Sequence, residues 1–181
     1  MDYRHELKIP KDRISALIGT KGVTKRQIEA ATGCRLGIDS KEGDIVIEGE
    51  DAINVFTSKE IVNAIGRGFN PELALLLLKQ DYVSEILALS HYTRSKNDLL
   101  RIRGRIIGKE GRARTLIEEY TETYVCVYGK TVSLIGEPEN VAVARKAIEA
   151  LLTGSPHANV YKWLEKKRRD LKRGSIEKIA L

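Results

Sequence analysis

Ile18-Gly19-Thr20-Lys21-Gly22 and Ile107-Gly108-Lys109-Glu110-Gly111 stand 89 residues apart, counted from Gly19 to Gly108, and each closes one helical pattern and opens another. Lacking a Cβ, the glycines let the backbone turn sharply and come close to a ligand, while the first N–H groups of the next helix face outward. Such a loop suits a phosphate.

The repetition runs well beyond the loops. At the same offset Ile28-Glu29 lies over Ile117-Glu118, Thr32 over Thr121, Leu36 over Val125 and Ile38 over Val127. At an offset of 87, Ile45-Val46-Ile47-Glu48-Gly49 lies over Val132-Ser133-Leu134-Ile135-Gly136, and a helical stretch follows each from Glu50 or Glu137. The change of offset predicts a shorter turn between strands in the second copy. Within 181 residues, an internal repeat predicts two small domains rather than one large one.

Composition sets the class. A hydrophobic content of 42% with 6% aromatics suffices for aliphatic packing of helices on sheets, and no apolar run approaches the roughly 20 residues of a membrane span. The first residues, Met1 to Glu6, lack the apolar stretch of a secretory signal. A cytoplasmic protein without a membrane partner is expected. Cys34 and Cys126 fall one per copy in predicted strands, as small core residues in a reducing compartment rather than a disulfide framework.

Periodicity orders the elements. In the first copy Leu7 and Ile9 alternate as a strand ended by Pro10, and Ile14, Leu17 and Ile18 follow at helical spacing behind Asp12 as N-cap. Val23, Ile28 and Ala31 mark a second helix that stops at Gly33. Leu36/Ile38 and Ile45/Ile47 alternate as strands around the turn Ser40-Lys41-Glu42-Gly43-Asp44, and Ala52, Val55, Phe56, Val62 and Ile65 form a closing helix. The second copy reads as a strand at 83–89, an insertion at 91–98, helices at 99–107 and 112–121, strands at 124–127 and 132–135, and a helix at 139–152. This α+β order, β-α-α-β-β-α with GxxG between the first two helices, resembles the type I KH (K-homology) RNA-binding domain, whose loop clamps a nucleic-acid backbone.

The expected layout is a first KH domain at 1–69, a linking helix at 70–81, a second KH domain at 82–153 and a basic helical tail at 154–181. Asn70 caps the linking helix and Pro71 occupies its first turn. Its run Leu73–Leu78 is apolar all round, which predicts that it is sandwiched between the copies as one rigid body. In the tail, Val160, Trp163, Leu164 and Leu171 share a side that docks on the second KH domain. The opposite face, with Lys162, Lys166, Lys167, Arg168, Arg169, Lys172 and Arg173, extends a basic track; Trp163 is either a packed residue or a stacking ring.

The two copies, the string Arg67–Leu78 between them and Gly154-Ser155-Pro156 after the last KH helix closely resemble the archaeal members of a ribosome-assembly family. Its eukaryotic relatives are called Dim2 or partner of Nob, and Krr-type processome factors are cousins. The resemblance spans about residues 4–170. It implies binding of small-subunit ribosomal RNA near its 3′ end, on the pre-small ribosomal subunit and beside the Nob-type endonuclease that trims it, with no catalysis and no cofactor. Eukaryotic relatives often carry a degenerate first loop, whereas Gly19-Thr20-Lys21-Gly22 is intact here.

Charge supports the RNA reading. Six basic residues between 101 and 114 oppose only Glu110, a net +5, and Lys11, Arg13, Lys21, Lys25 and Arg26 against Asp12 give +4 at the first loop. The residues expected to contact RNA are Gly19, Thr20, Lys21, Gly22, Lys25 and Arg35 in the first copy, and Arg103, Arg105, Gly108, Lys109, Glu110, Gly111, Arg112 and Arg114 in the second. By analogy with the fold, Ile14, Leu17 and Ile18, or Arg103, Ile106 and Ile107, line one groove wall, with Arg35 and Tyr124 opposite; for Ile18, Ile107 and Tyr124 a packing role stays open. The larger arginine excess predicts that the second copy carries more of the affinity, although Glu110 stands where the first copy has Lys21.

Enzyme readings find little support. His5, His91 and His157 are scattered without metal-ligand spacing, the loops lack the Gly-Lys-Ser/Thr ending of a P-loop, and Glu118 and Glu119 point apart on a helix. The rival to RNA binding is a KH-based scaffold that holds polypeptide in the same grooves.

Overall fold

The structure, a computed structural model, describes residues 3–179, with side chains through Gly174. It divides into two compact units, 1–84 and 85–181. The first comprises β1 (Tyr3–Lys8), α1 (Ile14–Ile18), α2 (Val23–Thr32), β2 (Arg35–Ile38), β3 (Asp44–Gly49), α3 (Ala52–Gly66) and α4 (Pro71–Ala74). β4 (Val83–Ala88) leads into the second, followed by α5 (Lys96–Ile107), α6 (Arg112–Thr121), β5 (Tyr124–Tyr128), β6 (Thr131–Gly136), α7 (Pro138–Leu152) and α8 (His157–Ile179). Both units keep the order β-α-α-β-β-α, and their sheets run β1-β3-β2 and β4-β6-β5.

The alternation of apolar residues sets the register. β3 lies antiparallel between its neighbours with Leu7 opposite Ile45 and Leu36 opposite Ile47, so Leu36, Ile45 and Ile47 are buried on one face of the sheet while Leu7 on the edge strand is half-buried. In the second unit Val125 sits opposite Leu134. The strands β2 and β3 are joined by a five-residue turn, Asp39–Gly43, whereas Gly129-Lys130 alone joins β5 to β6, and β5 is one residue longer than β2. A turn shorter by three and a strand longer by one give the net shift of repeat offset from 89 to 87.

The residues that recur between copies turn out to be fasteners. Glu29 Oε1 accepts the Leu36 N–H at 2.8 Å, and Glu118 Oε1 accepts the Val125 N–H at 2.8 Å, which ties the second helix of each unit to the strand that follows it. Thr32 Oγ1 donates to the Ile28 carbonyl at 2.8 Å and Thr121 Oγ1 to the Ile117 carbonyl at 2.6 Å, so a buried hydroxyl is satisfied within its own helix. Gly49 and Gly136 close the same gap. A Cβ on Gly49 would come within 2.9 Å of Cys34 Sγ and Val55 Cγ2, and one on Gly136 within 2.9 Å of Thr123 Cγ2.

Several sequence expectations shift. Asp12 does not cap α1: it lies inside a 3₁₀ turn, Lys11–Arg13, and α1 starts behind Arg13 with no side-chain cap. The buried stripe of α2 is Thr24, Ile28 and Thr32, while Val23 and Ala31 face water; the i, i+4, i+8 row faces the core, and Thr32 satisfies its hydroxyl on the Ile28 carbonyl. Ala52 and Phe56 are exposed on α3, whose core row is Val55, Ile61, Val62 and Ile65. The insertion is partly helical: Ser95 Oγ accepts the Asp98 N–H and the Asp98 carboxylate accepts the Arg94 N–H, so α5 begins at Lys96 rather than Leu99.

The leucine run is not buried all round. α4 and the 3₁₀ turn Leu75–Leu78 pack on α3 through Ala74 and Leu77, and Leu78 is 39% exposed. At the other end, α8 packs against α6 and α7. Val160 and Leu164 are buried there and Trp163 and Leu171 half-buried, with Lys167 Nζ 5.9 Å from the centre of the Trp163 ring. Among the described residues no helix is long and apolar enough to cross a membrane.

The glycine fasteners make a test. Gly49→Ala and Gly136→Ala should each lower stability by about 1–3 kcal/mol through overpacking, read as a lower urea midpoint at unchanged m. Thr123→Ser removes the obstructing methyl and should restore most of the loss in Gly136→Ala.

Candidate nucleic-acid interface

The two loops share one backbone path. Gly19 (φ 73, ψ 172) ends α1, Lys21 (φ 53, ψ 27) and Gly22 (φ 76, ψ 19) turn left-handed, and α2 begins. Gly108 (φ 74, ψ 175), Glu110 (φ 54, ψ 28) and Gly111 (φ 76, ψ 8) repeat it before α6. The opening glycine is obligatory on two counts: its φ is positive, and a Cβ on Gly19 would lie 2.8 Å from the Thr24 nitrogen, one on Gly108 2.7 Å from the Ala113 nitrogen. Lys21 and Glu110 are non-glycine residues in a region that costs them energy, and both side chains are exposed.

Neither Gly22 nor Gly111 supplies a side-chain cap to the helix it precedes. The first N–H of α2, that of Val23, donates to the Thr20 carbonyl, and that of α6, Arg112, to the Lys109 carbonyl; the N–H groups just behind them have no side-chain cap, at the positive end of a ten-residue helix dipole. An anion can complete them.

The cations around the loops divide into committed and available ones. Arg105 is committed: its Nε donates to the Leu151 carbonyl at 3.0 Å and its Nη2 to the Ser155 carbonyl at 2.6 Å. It clamps the end of α7 with both of these donors taken. Arg13 does the same in the first unit, donating to the Ile65 carbonyl at 2.8 Å and the Phe69 carbonyl at 2.7 Å. Arg101 pairs with Asp98 at 2.6 Å, holding that carboxyl below the usual carboxylate range. Lys25 reaches Glu29 at 3.9 Å and Arg114 reaches Glu118 at 4.0 Å, so each basic side chain leans on the carboxylate that fastens the helix. Thr20, Lys21 and Arg26 at the first loop, and Lys109 and Arg112 at the second, are exposed. The arginine excess that favoured the second copy thus largely disappears, and the loops stand nearly level.

The groove walls also divide. Ile14, Leu17 and Ile106 are core residues, between 0 and 5% exposed, so they lie under the groove and not on its floor. Ile18, Ile107 and Arg103 are half-buried, and Arg35 and Tyr124 open their strands on the exposed side. Those five keep the accessible apolar and polar surface that a stacked base needs.

Sequence reasoning placed the tail on the second KH domain but missed what the start of α8 brings to the loop. His157 Nε2 lies 2.8 Å from the Arg105 carbonyl, and the Tyr161 ring sits 6.0 Å from that of His157 at a tilt of 56°. Burial pushes the Tyr161 hydroxyl above its ordinary pKa of 10.0 against the opposing charge of Arg112, so it stays a donor at neutral pH. A signal was present in Gly154-Ser155-Pro156, which breaks the chain so that α8 can turn back onto the loop. Among the described residues no group of three or more His, Cys, Asp or Glu side chains could hold a metal ion.

Residues 4–65 match the KH domain model, and residues 83–169 match the model of the second PNO1 KH domain, described as a eukaryotic-type, type I KH domain. The KH domain-containing protein MJ0443 of Methanocaldococcus jannaschii is 47% identical over 175 residues, 94% of this chain and 77% of that protein. The pre-rRNA-processing protein PNO1 of Yarrowia lipolytica is 29% identical over 137 residues, 76% of this chain and 49% of that protein. The chain thus spans about half the length of its eukaryotic relatives. Dim2p of Pyrococcus horikoshii superposes with a TM-score of 0.85 at 47% identity, covering 91% of this chain and 99% of that one. The same organism's Dim2p, solved in a complex with a/eIF2alpha and rRNA, gives 0.87 at 46% identity, over 93% and 95%.

The clamp reading of Arg105 separates from a phosphate reading by experiment. Arg105→Ala should destabilise the second unit by about 2 kcal/mol, because it strands two carbonyls that accepted charged donors. The slope of log K for RNA against log salt should stay as in the parent; a flatter slope would return Arg105 to the RNA contacts.

Proposed function

The chain belongs to the Dim2/PNO1 family of tandem KH proteins, and from that premise we propose that it binds single-stranded RNA as a ribosome-assembly factor, holding small-subunit ribosomal RNA near its 3′ end. The observation that carries this reading is the pair of loops with one backbone path, each leading into a helix without a side-chain cap and flanked by exposed basic residues. In that reading the RNA backbone lies on Gly19–Gly22 and Gly108–Gly111, with Lys21, Arg26, Lys109 and Arg112 on its phosphates. Lys25 and Arg114 reinforce them from their carboxylate partners, and Arg35, Arg103 and Tyr124 face the bases. KH domains take about four nucleotides each, so two loops suit a longer strand than either alone.

The protein acts without chemistry of its own in this proposal, as a holder of the RNA end for the Nob-type endonuclease on the pre-small subunit. The Pyrococcus horikoshii complex contains a/eIF2alpha as well as rRNA. By extension this chain has a protein partner in addition to RNA, which keeps the scaffold reading as a second role rather than a rival.

Replacing Thr20 and Lys21 with Asp, or Lys109 and Glu110 with Asp, tests the mechanism. Asp tolerates the left-handed position better than most residues, so melting temperatures should hold while carboxylates meet the phosphates. Affinity for single-stranded RNA at ~0.1 M salt should fall by about tenfold or more in each double variant, equivalent to 1.4 kcal/mol. Parent-like binding by both variants and by their combination would rule out the loops as the RNA clamp.

Salt titration compares the two units. Lys21→Ala with Arg26→Ala, and Lys109→Ala with Arg112→Ala, each remove two phosphate contacts and should each flatten the log–log salt slope by roughly 1.4. A much larger effect from one pair would make that unit the principal clamp.

A further inference from the structure

Gly104 is a glycine for which the folded chain has no structural use. It lies inside α5, it is absent from the residues with positive φ, and a Cβ on it would meet no atom within 4 Å. Glycine is among the poorest helix formers, and at an exposed, uncrowded helical site nothing in the packing offsets that. Ser15 occupies the equivalent place in the first copy. The bare stretch of α5 instead forms one wall of a cavity of about 430 Å³ whose other walls come from Arg105, Lys109, Arg112, His157 and Tyr161.

The cavity is fixed in shape before anything enters it. The Arg105 guanidinium ties α5 to the carbonyls of Leu151 and Ser155, and His157 returns a hydrogen bond to the Arg105 carbonyl. Its chemistry is that of a nucleotide site. Lys109 and Arg112 bring two exposed positive charges beside Arg101, which is paired with Asp98, Tyr161 brings a protonated hydroxyl and a ring, and Gly104 lets a ligand lie directly on the helix backbone. It is a shallow depression open to the surface, as a site for one nucleotide within a continuous strand must be. Gly108, Lys109 and Arg112 belong both to this cavity and to the second loop, so a nucleotide held here continues the strand held there.

We propose that this cavity is an additional RNA subsite, built by α8 onto the second KH unit, which takes the ribose-phosphate of a nucleotide flanking those clamped by Gly108–Gly111. The assignment rests on the RNA-binding reading above and extends it: the second unit binds a longer stretch than a KH domain alone, and the first unit has no counterpart of Gly104.

The test uses the full chain carrying Thr20→Asp and Lys21→Asp, so that the second loop alone clamps RNA, with single-stranded oligonucleotides of about four and about eight nucleotides, the shorter matched to one KH domain. In that background the longer RNA should bind tighter, and Gly104→Gln, which fills the cavity with a good helix former, should weaken the longer RNA by about fivefold to tenfold (a ratio read directly from K) and leave the shorter one unchanged. Tyr161→Phe keeps the ring packing and should weaken only the longer RNA, by about threefold, a smaller step for one neutral hydrogen bond. Gly104→Ala should raise the melting temperature by a few degrees, which shows that the glycine is not kept for stability. Equal binding of the longer RNA by the Gly104→Gln, Tyr161→Phe and background proteins would overturn the subsite and leave the loop mechanism standing. If adding Lys109→Asp and Glu110→Asp to the background changes binding of neither RNA, the loop mechanism fails and the subsite with it.

Discussion

One hydrogen bond, made twice, decides where each loop points. The carboxylate of Glu29 takes the N–H of Leu36, and that of Glu118 takes the N–H of Val125. α2 and α6 carry the glycine loops at their N-termini, so this bond fixes the helix against the strand that forms the far side of the groove. A carboxylate that accepts a backbone N–H at 2.8 Å is a stronger acceptor than a neutral one, and it draws Lys25 or Arg114 toward the same spot. Fold and basic surface are thereby set by a single acidic side chain per unit.

The order of elements, the sheets and the position of both loops were legible in the sequence because they follow from strong local signals: period-two alternation, glycine at positive φ, and repetition at a constant offset. What sequence could not reveal was the use of individual side chains. Arg105 looks like its neighbours Arg101 and Arg103 until the end of α7 is seen to offer two carbonyls. Thr24 and Thr32 look polar and Val23 looks apolar, yet the threonines are buried and the valine is not; for Thr32, a hydroxyl that bonds within its own helix removes the usual penalty for burial. Leu17 and Ile106 look like groove residues by fold analogy, but they lie beneath the surface. Tertiary partners, which sequence spacing does not display, decide each case.

The two units are copies with different additions. The first ends in α4 and a 3₁₀ turn laid on α3, while the second carries α8 across α6 and α7. A repeat duplicated whole gives two equivalent clamps. Adding α8 to one of them brings His157 and Tyr161 to the back of a loop and gives that copy a surface the other lacks. The asymmetry therefore lies in architecture and only slightly in net charge.

The loops are shaped in advance of any ligand. Lys21 and Glu110 sit in left-handed conformations that cost energy, held there by flanking glycines and by short turns in which the Gly22 N–H donates to the Gly19 carbonyl at 3.1 Å and the Gly111 N–H to the Gly108 carbonyl at 3.2 Å. A site that is already ordered loses little conformational entropy on binding. Capture is then governed by diffusion and charge, and differences among RNA sequences emerge in residence time rather than in rate of arrival. Such a protein samples many strands quickly and lingers on few, which is what finding one site within a long RNA demands.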